Sequence, residues 1–138
     1  MVNEIARLAQ VYALESVYAF GSRAREILAL FNGDIGVLSD SLSDVDIGVK
    51  PEFGRNLSVS EKVDIAQGIE DLLNVSRVDL LVIPEVDPFL AANIIRGERL
   101  YCRDEYLADE YELFILRRAG DLMPLERERL ALIMEDGA

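Results

Sequence analysis

Ser43-Asp44-Val45-Asp46-Ile47-Gly48-Val49-Lys50 carries more information about this chain than any other segment. Polar and apolar residues alternate through it, and alternation at period two marks a strand with one buried face. Val45, Ile47 and Val49 share that face. Asp44, Asp46 and Gly48 share the other, so two carboxylates project from the same side of one strand. Upstream, Ser16 to Phe20 (Ser-Val-Tyr-Ala-Phe) is short and rich in β-branched and aromatic residues, which predicts a second strand. It runs into Gly21-Ser22 and a helical run through Phe31 that Asn32-Gly33 stops. Downstream, Arg77 to Ile83 is nearly all apolar, as expected of a buried central strand, and Asp79 interrupts it.

Helices and turns fill the intervals. Asn3 is placed to cap a first helix with Ile5, Leu8, Ala9, Tyr12 and Ala13 on one face. Residues 33–43 mix turn formers with a few apolar residues and read as a loop, as does the stretch around Pro51 to Asn56. Val59 to Leu73 reads as a helix that buries Ile65, Ile69, Leu72 and Leu73. Asp87-Pro88 is a cap and first turn for a helix ending at Gly97, and Leu100 to Cys102 adds a short strand. The remainder reads as helical, with Pro124 opening a last segment. Strands alternating with helices predict one α/β (α+β) domain over residues 1–138, with its core over about 16–102 and a helical C-terminal extension over about 103–138.

The composition excludes several chemistries. The 138 residues are 51% hydrophobic and 29% charged, enough apolar material for one core and too much for a disordered chain. No apolar run approaches the ~20 residues of a membrane span, and the N-terminal residues lack the basic and apolar regions of a secretory signal. There is no histidine, so neither a Ser-His-Asp nor a Cys-His pair exists within the chain and imidazole metal sites are excluded. The single cysteine, Cys102, permits no internal disulfide and no thiolate cluster, and it fits a reducing, cytoplasmic setting. Metal chemistry must therefore run on carboxylates, which suit hard cations such as Mg²⁺, Mn²⁺ or Ca²⁺. The formal charge of −12 opposes direct nucleic-acid binding and would steer a basic protein partner.

Asp44 and Asp46 are spaced to reach one cation, and Asp79 needs compensation because an ionised carboxylate in a buried sheet is costly. Arg77, two residues earlier, is one candidate for that role; a divalent metal shared with Asp44 and Asp46 is the other. A solvated acidic turn is the plainer reading of the Asp-x-Asp. An ordinary N-cap is the plainer reading of Gly21-Ser22, which otherwise offers backbone N–H groups and a hydroxyl to an anion at a helix start. Strand, Gly-Ser, helix, Asp-x-Asp strand and lone-Asp strand together supply an anion cradle beside three carboxylates. Two-metal phosphoryl or nucleotidyl transfer needs both.

Phe20-Gly21-Ser22-Arg23-Ala24-Arg25, Ser43-Asp44-Val45-Asp46-Ile47-Gly48-Val49 and Val78-Asp79-Leu80-Leu81-Val82 strongly resemble the minimal nucleotidyltransferases of the DNA polymerase β superfamily. The resemblance extends from Val17 through Asp121, with Gly97-Glu-Arg-Leu-Tyr101 and Arg118-Ala-Gly-Asp121 as weaker marks. It implies a polymerase β-like palm, a small mixed sheet flanked by helices with C-terminal helices after it. It implies that Asp44 and Asp46 hold two Mg²⁺ ions on a nucleoside triphosphate such as ATP. Asp79 would complete the second metal site and help deprotonate an acceptor hydroxyl. Gly21 and Ser22 would contact the phosphates, with Arg23 or Arg25 neutralising them; a solvated helix face is the alternative for Arg25.

The Gly-Ser and the Asp-x-Asp stand further apart here than the family usual, with residues 23–43 between them. Asp34 and Asp40 fall inside that stretch. Asp44 is preferred because only the residues after Ser43 continue into an alternating strand. Stand-alone proteins of this type resemble the antitoxin half of two-gene modules whose toxin is a helical HEPN ribonuclease, and the resemblance implies transfer of AMP to a tyrosine of that toxin. Two alternatives stand beside it. One is a non-catalytic module that binds the partner through apolar residues such as Leu113, Phe114, Leu116, Leu122 and Leu125. The other is a small-molecule nucleotidyltransferase, aminoglycoside-like, completed by a homodimer.

Overall fold

A computed structural model describes residues 1–39 and 44–136. Four strands form one mixed sheet: β1 (Leu14–Phe20), β2 (Val45–Pro51), β3 (Val78–Val82) and β4 (Glu98–Cys102), in the order β3-β2-β1-β4. β1 runs antiparallel to both β2 and β4, and β2 runs parallel to β3. This is the α+β architecture that the alternation of elements predicts. Its consequence for the site is direct. The antiparallel pairing brings the end of β1 beside the start of β2, and the parallel pairing brings the start of β3 to the same edge.

Each face of the sheet is covered, and the strand residues divide accordingly. Val17 and Ala19 of β1 with Val45, Ile47 and Val49 of β2 meet three helices: α1 (Val2–Val11), α2 (Ala24–Phe31) and α3 (Val59–Leu73). Ile5, Ala9, Ile27, Ile65 and Ile69 fill that side. α3 carries a capping box, in which the Ser58 hydroxyl accepts from Glu61 N–H while the Glu61 carboxylate accepts from Ser58 N–H. Tyr18 and Phe20 belong to the second face, beneath α4 (Pro88–Ile95) and α5 (Glu105–Asp136). There Gly48 admits α4, because a Cβ on it would stand 2.4 Å from Cγ2 of Ile94.

α5 is held to this face by polar contacts as well as by Ile115 and Ala119. The buried Tyr18 hydroxyl donates to Glu112 at 3.0 Å, and Arg99 of β4 pairs with both Glu112 and Asp109. Burial pushes the Tyr18 hydroxyl up from its ordinary value.

Several expectations need correction. α1 starts before Asn3: Ile5 N–H already bonds Met1 C=O, and no side chain caps the helix. β2 extends through Pro51, and β1 and β4 begin earlier than expected, at Leu14 and Glu98. β3 is an edge strand, not a central one. Its apolar run reflects cover on its two faces, and such cover does not reveal which strands lie beside it. Pro124 opens no new segment; it sits inside α5, a single helix of 32 residues. The C-terminal helices are therefore one. Among the described residues, no helix is long and apolar enough to cross a membrane.

Candidate active site

The site is built on one rung of the sheet. Asp46 lies opposite Phe20 on one side and Asp79 on the other, so its carboxylate and that of Asp79 leave neighbouring strands at the same level and on the same face. Asp44 immediately precedes β2. Gly21 follows Phe20 and folds over the rung with φ of +76°, a conformation that favours glycine. A Cβ on Gly21 would stand 2.3 Å from Oδ2 of Asp46. Glycine here lets the turn after β1 lie against that carboxylate without displacing it.

Electrostatics at this edge are those of carboxylates crowded together with little positive charge among them. Burial and then the neighbouring Asp79 and Asp44 hold the Asp46 carboxyl above its ordinary value. Arg77 is the only cation whose ion pairs with this cluster are seen among the described residues. Its Nε lies 3.3 Å from Asp79 and 3.7 Å from Asp44. Both aspartates thus reach one point, occupied by a side chain that is itself 70% exposed. So solvated a pair contributes little stability. Of the two compensations the sequence allowed for Asp79, the ion pair with Arg77 is the one seen. Among the described residues, no three carboxylates already converge as metal ligands do. The donor set is nevertheless hard oxygen on adjacent backbone positions, beneath a turn without side chain, and it fits Mg²⁺.

The Gly-Ser turn departs from the plain capping arrangement. α2 starts at Ala24, with Arg23 at the N-cap position, and among the described residues no side chain caps its first N–H groups. Ser22 is exposed and stays outside the helix, so the start of α2 keeps its partial positive charge available to an anion. The two arginines have different surroundings. Arg25 is exposed on α2. Arg23 is buried and donates to Ser39 C=O at 2.9 Å and to Glu26 at 3.4 Å.

Glu26, which the sequence reading passed over, joins these pieces. Its carboxylate accepts from Ser39 N–H as well as from Arg23. The Ser39 amide, chiefly, holds the Glu26 carboxyl below its ordinary value. The Arg23–Glu26–Ser39 clamp ties the start of α2 to the chain that leads toward Asp44. Its sequence signal is the i, i+3 spacing of Arg23 and Glu26, which is too common on helices to single out. Asp34 lies in an exposed turn after α2, away from any strand of the rung. Asp40 lies outside the described residues.

Comparison with known proteins bears on the fold and the family. The profile of the family described as "Polymerase beta, Nucleotidyltransferase" matches residues 3–106. No curated protein matches the chain. A mutant of a toxin–antitoxin MntA–HpeT complex has a chain similar in structure, with a TM-score of 0.67 and 21% identity over 100% of this chain and 99% of that one. A toxin–antitoxin structure with AMP-PNP gives 0.67 and 22% over 99% and 98%. A complex of tri-AMPylated Shewanella oneidensis HEPN toxin with MNT antitoxin gives 0.63 and 21% over 99% and 96%. At such identities the likeness speaks for the fold. The family match spans the Gly-Ser turn, the Asp-x-Asp strand and the Asp79 strand together, and by it the chain belongs to the polymerase β nucleotidyltransferase family.

Proposed function

We propose that this nucleotidyltransferase moves AMP from ATP to a hydroxyl of a partner protein, a tyrosine of a HEPN toxin, and so acts as the antitoxin of a two-gene module. The observation that carries the chemistry is the rung Phe20–Asp46–Asp79 closed over by Gly21. The partner is inferred from the structural likeness to antitoxin chains, one of them in complex with a tri-AMPylated HEPN toxin.

In this reading Asp44, Asp46 and Asp79 hold two Mg²⁺ ions. These ions, when bound, neutralise phosphate oxygens and stabilise the charge that develops during transfer. Gly21 and Ser22 present N–H groups and a hydroxyl to the β- and γ-phosphates, together with the start of α2. Arg25 supplies positive charge from the open side of α2, and Arg23 keeps the turn in place through Glu26 and Ser39. Asp79 takes the proton of the acceptor hydroxyl as its oxygen bonds to the α-phosphorus. The bond from that phosphorus to the β-phosphate bridging oxygen breaks, and pyrophosphate leaves with the electron pair.

Calorimetric titration of ATP with and without Mg²⁺, into wild type and the Asp44→Ala/Asp46→Ala variant, tests the site. Metal-dependent binding is expected in the wild type and its loss in the variant. Incubation with the HEPN partner and labelled ATP then tests transfer, with a loss of about 10²-fold or more expected for Asp79→Asn. Silence of the wild type toward ATP, with the partner present as well as absent, would sink the reading. Partner control that survives loss of the aspartates would favour a binding module, and turnover of a small hydroxylated acceptor without partner would favour the aminoglycoside-like alternative.

A further inference from the structure

α5 is longer than its own domain can use. Neither core cluster includes a residue beyond Ala119. Past that point, Met123, Leu125, Leu130, Leu132, Ile133 and Met134 are all exposed, while the backbone stays helical to Asp136. A helical stretch of this length is marginal alone in water, and Pro124 weakens it further by removing a backbone donor. Packing against something outside the chain's own core would repair both deficits.

One flank of α5, turned from the core except at Tyr111, which packs against it, says what that something is. Leu107, Tyr111, Phe114, Arg118, Asp121, Leu125, Glu128 and Leu132 recur at alternating steps of four and three, the seam of a helix pair. Its four aliphatic or phenyl members are between 49% and 63% exposed. Read antiparallel against itself about a two-fold axis beside Ala119 and Gly120, the seam complements itself at every layer. Leu107 meets Leu132, Phe114 meets Leu125, Tyr111 meets Glu128, and Arg118 meets Asp121, each layer occurring twice. A closed two-fold interface requires this self-complementarity. Neither Arg118 nor Asp121 forms an ion pair among the described residues, so both charges are free to pair across the axis.

The body of the domain makes room for the second helix. A groove of about 640 Å³ runs beside Leu107, Tyr111 and Phe114, walled opposite by the 52–57 loop and Pro84–Val86. Phe53 stands on its rim 98% exposed. The half of α5 that carries Leu125 and Leu132 is the part that the antiparallel register lays over this groove. We infer that the chain forms a two-fold homodimer in which the distal half of each α5 packs along the seam and groove of the other copy. The contact follows about 38 Å of helix, from Leu107 to Leu132. It lies on the α5 face of the molecule and does not depend on the nucleotide-transfer reading.

Sedimentation equilibrium of the full chain from low to high micromolar concentration, with no partner protein present, tests it. The wild type should run at twice the 15.4 kDa of one chain. Arg118→Asp and Asp121→Arg should each weaken association about tenfold or more by setting like charges together, with unchanged far-ultraviolet circular dichroism. The double exchange Arg118→Asp/Asp121→Arg should restore the dimer, which no loss of folding could do. A wild type that stays monomeric throughout, or single variants that associate as tightly as wild type, would overturn the proposal. So would a double exchange no tighter than the single ones.

Discussion

At the scale of single residues, Asp46 sets the proposed function against stability. Its carboxyl is raised by burial and by two like charges, so the folded protein without metal holds a proton there more tightly than the unfolded chain does. The sign follows. Below the ordinary aspartate range both states are protonated and the residue costs nothing. As pH rises through the unfolded and then the folded value, the metal-free fold loses stability. Asp46→Asn removes that cost, so its Tm without metal should equal or exceed the wild type at pH 7, and the difference should close toward about pH 3. If the proposed function holds, Mg²⁺ with nucleotide should reverse the order, because only the wild type would gain binding free energy. Thermal melts of both proteins at two pH values, with and without Mg²⁺-ATP, read all of this. A variant less stable than wild type at pH 7 without metal would show that Asp46 serves packing. The three aspartates stand out in the sequence through the combined pattern of strand, Gly-Ser turn and Asp-x-Asp together with the family resemblance, and the sheet register sets Asp46 beside Asp79. That pattern did not reveal Glu26, whose role depends on a loop folding back to place Ser39 against it.

Among the elements, β2 and α4 meet in close contact. Gly48 lies two residues beyond Asp46 on the same face, and α4 approaches there closely enough that any side chain would strike Ile94. Gly48→Ala should therefore cost about 1–3 kcal/mol by overpacking. The double variant Gly48→Ala/Ile94→Ala should be more stable than the sum of the single losses, since the second change removes the atom the first strikes. Denaturant titration of the four proteins measures the coupling, and simple additivity would show that the contact is relieved elsewhere. The Val59–Leu73 helix was legible to the residue because Ser58 and Glu61 form a local box and the apolar spacing is regular. Lateral order in the sheet was not legible. β3 and β2 are both rich in apolar residues, yet one is an edge and the other interior, and pairing is decided by connections that leave no mark on strand composition. Pro124 misled for a local reason. Proline favours the first turn of a helix, but here it sits inside α5, and the residues on either side are helix formers that do not show whether the turn before it continues.

For the molecule as a whole, the division of labour along the chain makes a prediction about its parts. Everything that builds the candidate site and both core clusters lies at or before Ala119. The two strong polar ties of α5 to the sheet, through Glu112 and Asp109, also precede that point. A chain that stops after Ala119 should then keep the fold and, if the proposed function holds, the Mg²⁺-dependent binding of ATP with an unchanged stoichiometry. What it should lose is association with a second copy, because Asp121, Leu125, Glu128 and Leu132, one member of each layer of the seam, are gone. Circular dichroism, nucleotide titration and sedimentation of this shortened chain separate the contributions. A folded monomer that still binds nucleotide would assign the distal helix to assembly alone. An unfolded product would mean that the distal helix supports the domain itself, as it would if the antiparallel pair formed before the monomer is stable. The −12 charge of the whole chain favours the first outcome, since like-charged copies meet slowly and a monomer must first survive on its own core. Raising the salt concentration screens that repulsion and should shift wild type toward the dimer, while leaving the shortened chain monomeric.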